Sequence, residues 1–343
     1  MERVKEITNY NGALQVPVNS GFDNNSTANE VIKGIDLSGT TAVITGGYTG
    51  IGLETVKTMA SAGAEVIVPA RNVEKAKKNL EGLKNVSVES MDLMNPVSID
   101  SFAEKFLEEK NALHFLINNA GIMWVPLMRD SRGNESQLST NHLGHFQLTA
   151  RLWPALRSTG NTRVISVSSY GHHFASFNFE DPNFNNREYE TLMGYGQAKT
   201  ANNLFIVEFD ARSQSSGVRG YSLHPGSVND TELGRMAPME LFRQLGTHDE
   251  NGNIYPEVAK KLKTPQQGAA TSVWCAVSEK LNEIGGVYCE NCDVAEPDNG
   301  SVVQNYDDPL TLRGVMPYSL DKENARMLWQ LSEELTGVTF DVV

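Results

Sequence analysis

Short apolar runs alternate with longer segments of helical period along most of the chain. A strand-prone run at residues 41–44 enters a glycine-rich turn, and apolar Ile51, Val56, Met59 and Ala60 then follow at helical spacing. Further strands are predicted at 65–69, 86–91, 113–117, 163–168, 220–224 and 286–289. The run at 113–117 is nearly continuous in apolar residues, as in a parallel strand covered on both faces. Pro69 has no N–H to give a ladder, so pairing is expected to fade there. Pro96 suits the first turn of a helix. Thr27 and Glu30 have capping-box spacing ahead of Val31, Ile32 and Ile35, which predicts a short helix before the first strand. Residues 1–25 are rich in Asn without a sustained period and read as irregular.

Strands alternating with helices predict an α/β fold: a single-domain doubly wound parallel sheet (Rossmann fold) with helices on both faces. Its ligand crevice lies at the carboxyl ends of the strands. Residues 1–38 form an N-terminal extension with a short helix. Residues 39–343 form one domain, including a loop at 229–264 and a C-terminal extension. That loop has no clear period yet carries Met236, Met239, Leu241 and Phe242, which suits a lid over a substrate pocket.

The net charge of −13 argues against nucleic acid or an anionic membrane as partner. No run approaches the length of about 18 apolar residues that spans a bilayer, and the polar first 30 residues lack a secretory pattern. A cytoplasmic protein is expected, with a homo-oligomer left open. Three cysteines, Cys275, Cys289 and Cys292, are too few for a disulfide framework. A lone Cys-x-x-Cys gives poor grounds for zinc, so no metal is expected.

The chemistry gathers at strand ends. Gly46, Gly50 and Gly52 lie between a strand and a helix N-terminus, where free N–H groups and the helix dipole suit a pyrophosphate. Tyr195 and Lys199, four residues apart, share a helical face. A free phenol titrates near pH 10, and bringing it to neutrality takes roughly 4 kcal/mol from positive charge nearby. Lys199 and an oxidised nicotinamide could both contribute, making Tyr195 a proton donor to a carbonyl or an acceptor from an alcohol. Ser169, ending the fifth strand, could hold the substrate oxygen. His172-His173 invite a metal or shuttle reading, but no carboxylate–histidine spacing supports it, and a partly exposed loop pair is the plainer expectation. Met123 and Trp124 could line a pocket or simply pack.

Taken in order, Thr45-Gly-x-x-x-Gly-x-Gly52, Asp92-Leu93, Asn118-Asn-Ala-Gly121, Asn141, Ser168-Ser169, Tyr195-x-x-x-Lys199 and Pro225-Gly226 resemble the short-chain dehydrogenase/reductase family. Tyr195 to Phe205 and the stretch from Thr264 to Ala270 resemble its retinol-dehydrogenase-like and protochlorophyllide-reductase-like members. The resemblance implies Tyr195 as general acid/base, Lys199 lowering its pKa and binding the nicotinamide ribose, and Asn141 anchoring a relay water. It also implies Ser169 rather than Ser168 as the catalytic serine. Gly46, Tyr48, Thr49, Gly50, Ile51, Gly52 and Asn119 would line the cofactor, with Asp92 and Leu93 at the adenine and Pro225, Gly226 and Val228 at the nicotinamide. Thr231 follows one residue later than is usual, which leaves its contact with the carboxamide open. Arg71 stands where NAD users generally place an acidic residue, and its cation suits the 2′-phosphate of NADP(H). Tyr48 and Thr49 bring no second cation, so mixed cofactor use stays open. The expected activity is an NADP-preferring carbonyl reductase or alcohol dehydrogenase acting on an apolar aldehyde, ketone or secondary alcohol. The rivals are an NAD-preferring enzyme of the same fold and a regulatory nucleotide-binding protein without turnover. Ser169, Tyr195, Lys199 and Asn141 together count against the latter.

Overall fold

A computed structural model describes residues 7–229, 231–244, 246–300 and 311–342. The first six residues of the expected extension, and Asp230 and Leu245 of the expected loop, lie outside the described residues. The strands are β1 (Thr41–Ile44), β2 (Glu65–Ala70), β3 (Val86–Ser90), β4 (Phe115–Asn118), β5 (Thr162–Val167), β6 (Val218–His224), β7 (Val287–Glu290) and β8 (Asp293–Val294). They form one sheet in the order β3-β2-β1-β4-β5-β6-β7-β8, parallel except for β8. The helices are α1 (Ala28–Ile32), α2 (Gly50–Ser61), α3 (Val73–Asn79), α4 (Pro96–Glu109), α5 (Ser136–Leu138), α6 (Gly144–Thr159), α7 (Thr191–Ser213), α8 (Met239–Gln244), α9 (Pro256–Ala259), α10 (Pro265–Val277) and α11 (Lys322–Thr336).

The period-2 alternation of the strands builds two cores. Ala42, Ile44, Val66, Val68, Phe115 and Ile117 point to the face that carries α1, α2 and α10. Val43, Ile67, Leu116 and Val164 point to the face of α4, α6, α7 and α11. The two halves of the sheet diverge between β1 and β4, so the crevice opens above their carboxyl ends. Chain signals set several helix starts: the Thr27/Glu30 capping box forms at α1, Asn95 caps α4 ahead of Pro96, and Thr264 caps α10 ahead of Pro265.

Pro69 does not end its strand as expected. Pairing of β2 with β1 stops at Val43 and Ile67, whereas pairing with β3 runs on through Pro69 to Ala70. Val66 N–H and the Ala70 carbonyl serve β3, so alternation turns the donorless nitrogen of Pro69 towards β1, where the ladder is already over. The N-terminal residues are irregular but tightly docked. Gln15 Nε2 donates to the carbonyls of Tyr288 (2.6 Å) and Ala295 (2.7 Å), and Asn9 Nδ2 donates to that of Gly286 (2.8 Å).

The C-terminal helix completes a core. Trp329 on α11 is 2% exposed, stacks on Phe205 and Phe340, and meets Phe146 edge-on. Trp329→Ala should destabilise the protein by about 3–5 kcal/mol in urea denaturation. A loss below about 1 kcal/mol would mean that α11 packs more loosely than this.

Candidate active site

A cavity of about 710 Å³ runs along the carboxyl ends of the strands. Its floor at one end is the glycine loop. Gly46 and Gly50 have positive φ (64° and 52°), which a side chain would strain. A Cβ on Gly52 would run into the Gly46 carbonyl and the Asn119 amide. Helix α2 begins there without a side-chain cap and without an acidic residue in its first turn. Its leading N–H groups and dipole are thus left for a ligand. Tyr48, Thr49, Ile51, Asp92, Leu93, Asn119, Pro225, Gly226 and Val228 also line the cavity. A glycine cradle, an uncapped helix start and a cleft of this volume fit a dinucleotide.

Ser169, Tyr195 and Lys199 line the same cavity. Tyr195 is 2% exposed, and burial pushes its phenol up to about 12, with a hydrogen bond from Ser169 pulling the other way. The lowered pKa expected of the tyrosine is therefore not found, because burial dominates. Burial also brings the Lys199 ammonium down from 10.5 to about 7. Lys199 Nζ donates to the Val167 carbonyl (2.8 Å) and lies 5.6 Å from the centre of the Tyr195 ring. The two adjacent serines differ. Ser168 Oγ donates to the Lys199 carbonyl (2.9 Å) and is committed to holding α7, whereas Ser169 Oγ accepts from Gly171 N–H (2.9 Å) and keeps its hydrogen for Tyr195 or a ligand.

Asn141 sits behind the cavity wall, in a widened helical turn at Ser139–Leu143. Its side chain accepts from Ile122 N–H (2.8 Å) and donates to the Ile122 carbonyl (3.0 Å). A Cβ on Gly121 would sit 3.3 Å from Asn141 Oδ1 and 3.5 Å from Lys199 Nζ. Glycine there lets the turn pass close to both.

The rim and walls come from other segments. Arg71, exposed at the end of β2, lines the cavity and has no hydrogen-bond or ion-pair partner among the described residues. Residues 229–264, expected to be without period, contain a 3₁₀ turn (Glu232–Gly234), α8 and α9. Each is too short to show a helical period. Leu233, Phe242, Ile254 and Leu262 from this stretch face the cavity, as do Met123 and Trp124. Trp124 meets Phe242 edge-on at 5.6 Å. Thr231 lies over the glycine loop, within 3.5 Å of where a Cβ on Gly50 would be.

The histidine pair lies in a 3₁₀ turn (Tyr170–Phe174), where His173 is partly exposed as expected and His172 is not. His172 is fully buried, donates from Nδ1 to the Ser169 carbonyl (2.7 Å) and accepts at Nε2 from Met316 N–H (3.1 Å). His173 packs flat on Tyr170 and faces Asp298. His172 is buried because the C-terminal segment near Met316 closes over it, a contact no local pattern reveals. The sequence motifs give Thr45 no role of its own and do not include His145. Thr45 Oγ1 accepts from the N–H groups of Asn119 (2.9 Å) and Ala120 (3.0 Å) and lies 2.9 Å from His145 Nε2. The one signal for His145 is its place four residues after Asn141. All three cysteines are buried free thiols. Among the described residues no cluster could hold a metal ion, and no helix is long and apolar enough to cross a membrane.

The family profile described as short chain dehydrogenase matches residues 40–240. A protein of Streptomyces lividans named "Probable oxidoreductase" is 39% identical over 302 residues, covering 86% of this chain and 97% of its own length. Retinol dehydrogenase 11 of Homo sapiens is 34% identical over 313 residues, covering 90% and 89%. Among solved structures, an uncharacterised protein of Mycobacterium paratuberculosis aligns with a TM-score of 0.67 and 29% identity, across 91% of this chain and 98% of that one.

The buried ammonium makes a stability prediction. Below pH 10.5 the unfolded chain protonates this lysine, while the fold accepts the proton fully only below about 7. The penalty thus grows as pH falls from 10.5 to 7 and is complete below that. Lys199→Met should stabilise the ligand-free protein by about 1–4 kcal/mol near neutrality. The gain in urea midpoint should shrink as the pH is raised towards 10; a gain independent of pH would point to packing instead.

Proposed function

The chain belongs to the short-chain dehydrogenase family, and from that premise we propose an NADP-preferring oxidoreductase acting on an apolar aldehyde, ketone or secondary alcohol. The observation that carries the reading is the meeting of Ser169, Tyr195 and Lys199 in a cavity that a glycine cradle also lines. A nicotinamide dinucleotide bound along the cavity would supply or accept the hydride. Tyr195 gives its proton to the carbonyl oxygen on reduction and takes it back from the alcohol on oxidation. Ser169 holds that oxygen through the hydroxyl hydrogen left free by its bond from Gly171. With the phenol held near 12, the phenolate needs a positive neighbour, and Lys199 is charged in about half the molecules near its own pKa of about 7. Because the Asn141 amide is committed to Ile122, its backbone carbonyl is the group available for a relay water.

Arg71 supports NADP over NAD. An unpartnered guanidinium on the rim can give a 2′-phosphate charge-assisted hydrogen bonds of about 1.5–3 kcal/mol. NAD use is the second reading, favoured by the absence of a cation at Tyr48 and Thr49. The apolar walls contributed by Trp124, Phe174, Phe242 and Ile254 support an apolar substrate, as do relatives that bear the name retinol dehydrogenase. Buried free thiols are consistent with a cytoplasmic setting.

Two variants test the reading. Tyr195→Phe should lose about 10²- to 10⁴-fold in turnover while its dissociation constant for NADPH stays near that of the parent. Turnover close to the parent's would remove Tyr195 from the chemistry. Arg71→Ala should lower the NADPH/NADH preference in kcat/KM by about 10- to 150-fold, and Arg71→Asp should reverse it through repulsion. An unchanged ratio in Arg71→Ala would assign the phosphate to another residue or to none.

A further inference from the structure

His145 is 2% exposed on α6, between the glycine loop and Asn141, and the reaction as proposed leaves it unused. Its Nδ1 is 3.1 Å from the Asn141 carbonyl oxygen, and its Nε2 is 2.9 Å from Thr45 Oγ1. A carbonyl only accepts, so Nδ1 carries the hydrogen, Nε2 is the acceptor and the Thr45 hydroxyl donates. Thr45 Oγ1 in turn receives the N–H groups of Asn119 and Ala120. Burial, helped by the Lys199 charge, holds His145 down at about 4 against the pull of the Asn141 bond, so the ring stays neutral and in this one tautomer near pH 7. Lys199 and His142 are the ionisable groups that interact with it.

These bonds close a ring. From the turn at 119–122 it passes through Thr45, His145 and Asn141, and the Asn141 amide returns it to Ile122. Lys199 Nζ lies against the same turn at Gly121. A histidine that only filled space would need neither bond.

We propose that His145 is a positioning residue for proton transfer. Its Nδ1–H fixes the carbonyl of Asn141, a residue whose amide meets Lys199 at the Gly121 turn, and its Nε2 ties that carbonyl through Thr45 to the loop that seats the dinucleotide. The inference rests on the oxidoreductase reading of the site. Side-chain length separates the two bonds. His145→Asn keeps an amide nitrogen near the place of Nδ1 and gives up Thr45. His145→Gln reaches the place of Nε2 and gives up Asn141. His145→Phe keeps the ring and gives up both.

Carbonyl reduction with NADPH should be followed for kcat, its pH profile and its solvent isotope effect, alongside the dissociation constant for NADPH. His145→Gln and His145→Phe should lose about 10- to 100-fold in kcat, with a displaced pH profile and a larger solvent isotope effect. His145→Asn should keep the parent's pH profile and bind NADPH more weakly. Should His145→Phe not fold, the Asn and Gln variants still decide. Unchanged pH profiles and isotope effects in both, with any loss of turnover following loss of thermal stability, would overturn the proposal. Tyr195→Phe is measured alongside. Turnover surviving there sinks Tyr195 as the proton donor and this inference with it, whereas an inactive Tyr195→Phe beside unperturbed His145 variants sinks the inference alone.

Discussion

The seam between β1 and β4 governs the rest of the molecule. Sheet order reverses there, the connecting helices diverge to opposite faces, and backbone groups at the two strand ends lose their ladder partners. Thr45 and Asn119 supply what is missing: the Thr45 hydroxyl takes two N–H groups from the β4 turn, and Asn119 Nδ2 donates back to the Thr45 carbonyl at 2.9 Å. This crosslink holds the glycine loop against the turn so closely that Gly52 has no room for a Cβ. It leaves α2 uncapped at a wall of the cavity, its donors facing whatever binds.

Close packing at that seam has an electrostatic consequence. Tyr195 and Lys199 are both driven towards their neutral forms by burial, the phenol upwards and the ammonium downwards. A fold selected for stability alone would not bury that pair, and the loss is offset by apolar cores on both faces of the sheet. The same low-dielectric setting makes any positive charge beside the phenol far more effective than it would be in water.

Much of this was legible in the sequence because it depends on local spacing. The seven parallel strands of the sheet, the glycine turn, the Thr27 cap and the Tyr195–Lys199 face all follow from periods and turn residues. What escaped depends on partners far away in the chain. Whether Pro69 ends a strand depends on which neighbour its nitrogen faces. The burial of His172 depends on residue 316, and the antiparallel β8 spans only two residues, too few to show an alternation. His145 looked like one more residue of a helix until Thr45, a hundred positions earlier, came within hydrogen-bond reach.

The floor and the upper wall of the cavity are also built differently. The glycine floor is made from strand termini and one helix start, elements fixed by the sheet. The upper wall is made from short helices and turns of the 231–264 stretch, which begins over the glycine loop at Thr231 and rests on Trp124. That tryptophan holds a φ of 57°, an unusual conformation for a bulky residue, and its indole N–H is buried without a partner among the described residues. Strain of this kind persists only where the surroundings over-determine it. Here Phe242 and the 3₁₀ turn at Glu232–Gly234 press on the indole from above. Substitutions in the upper wall can therefore reshape the cavity, residue by residue, while the Thr45–Asn119 seam beneath it stays as the sheet fixes it.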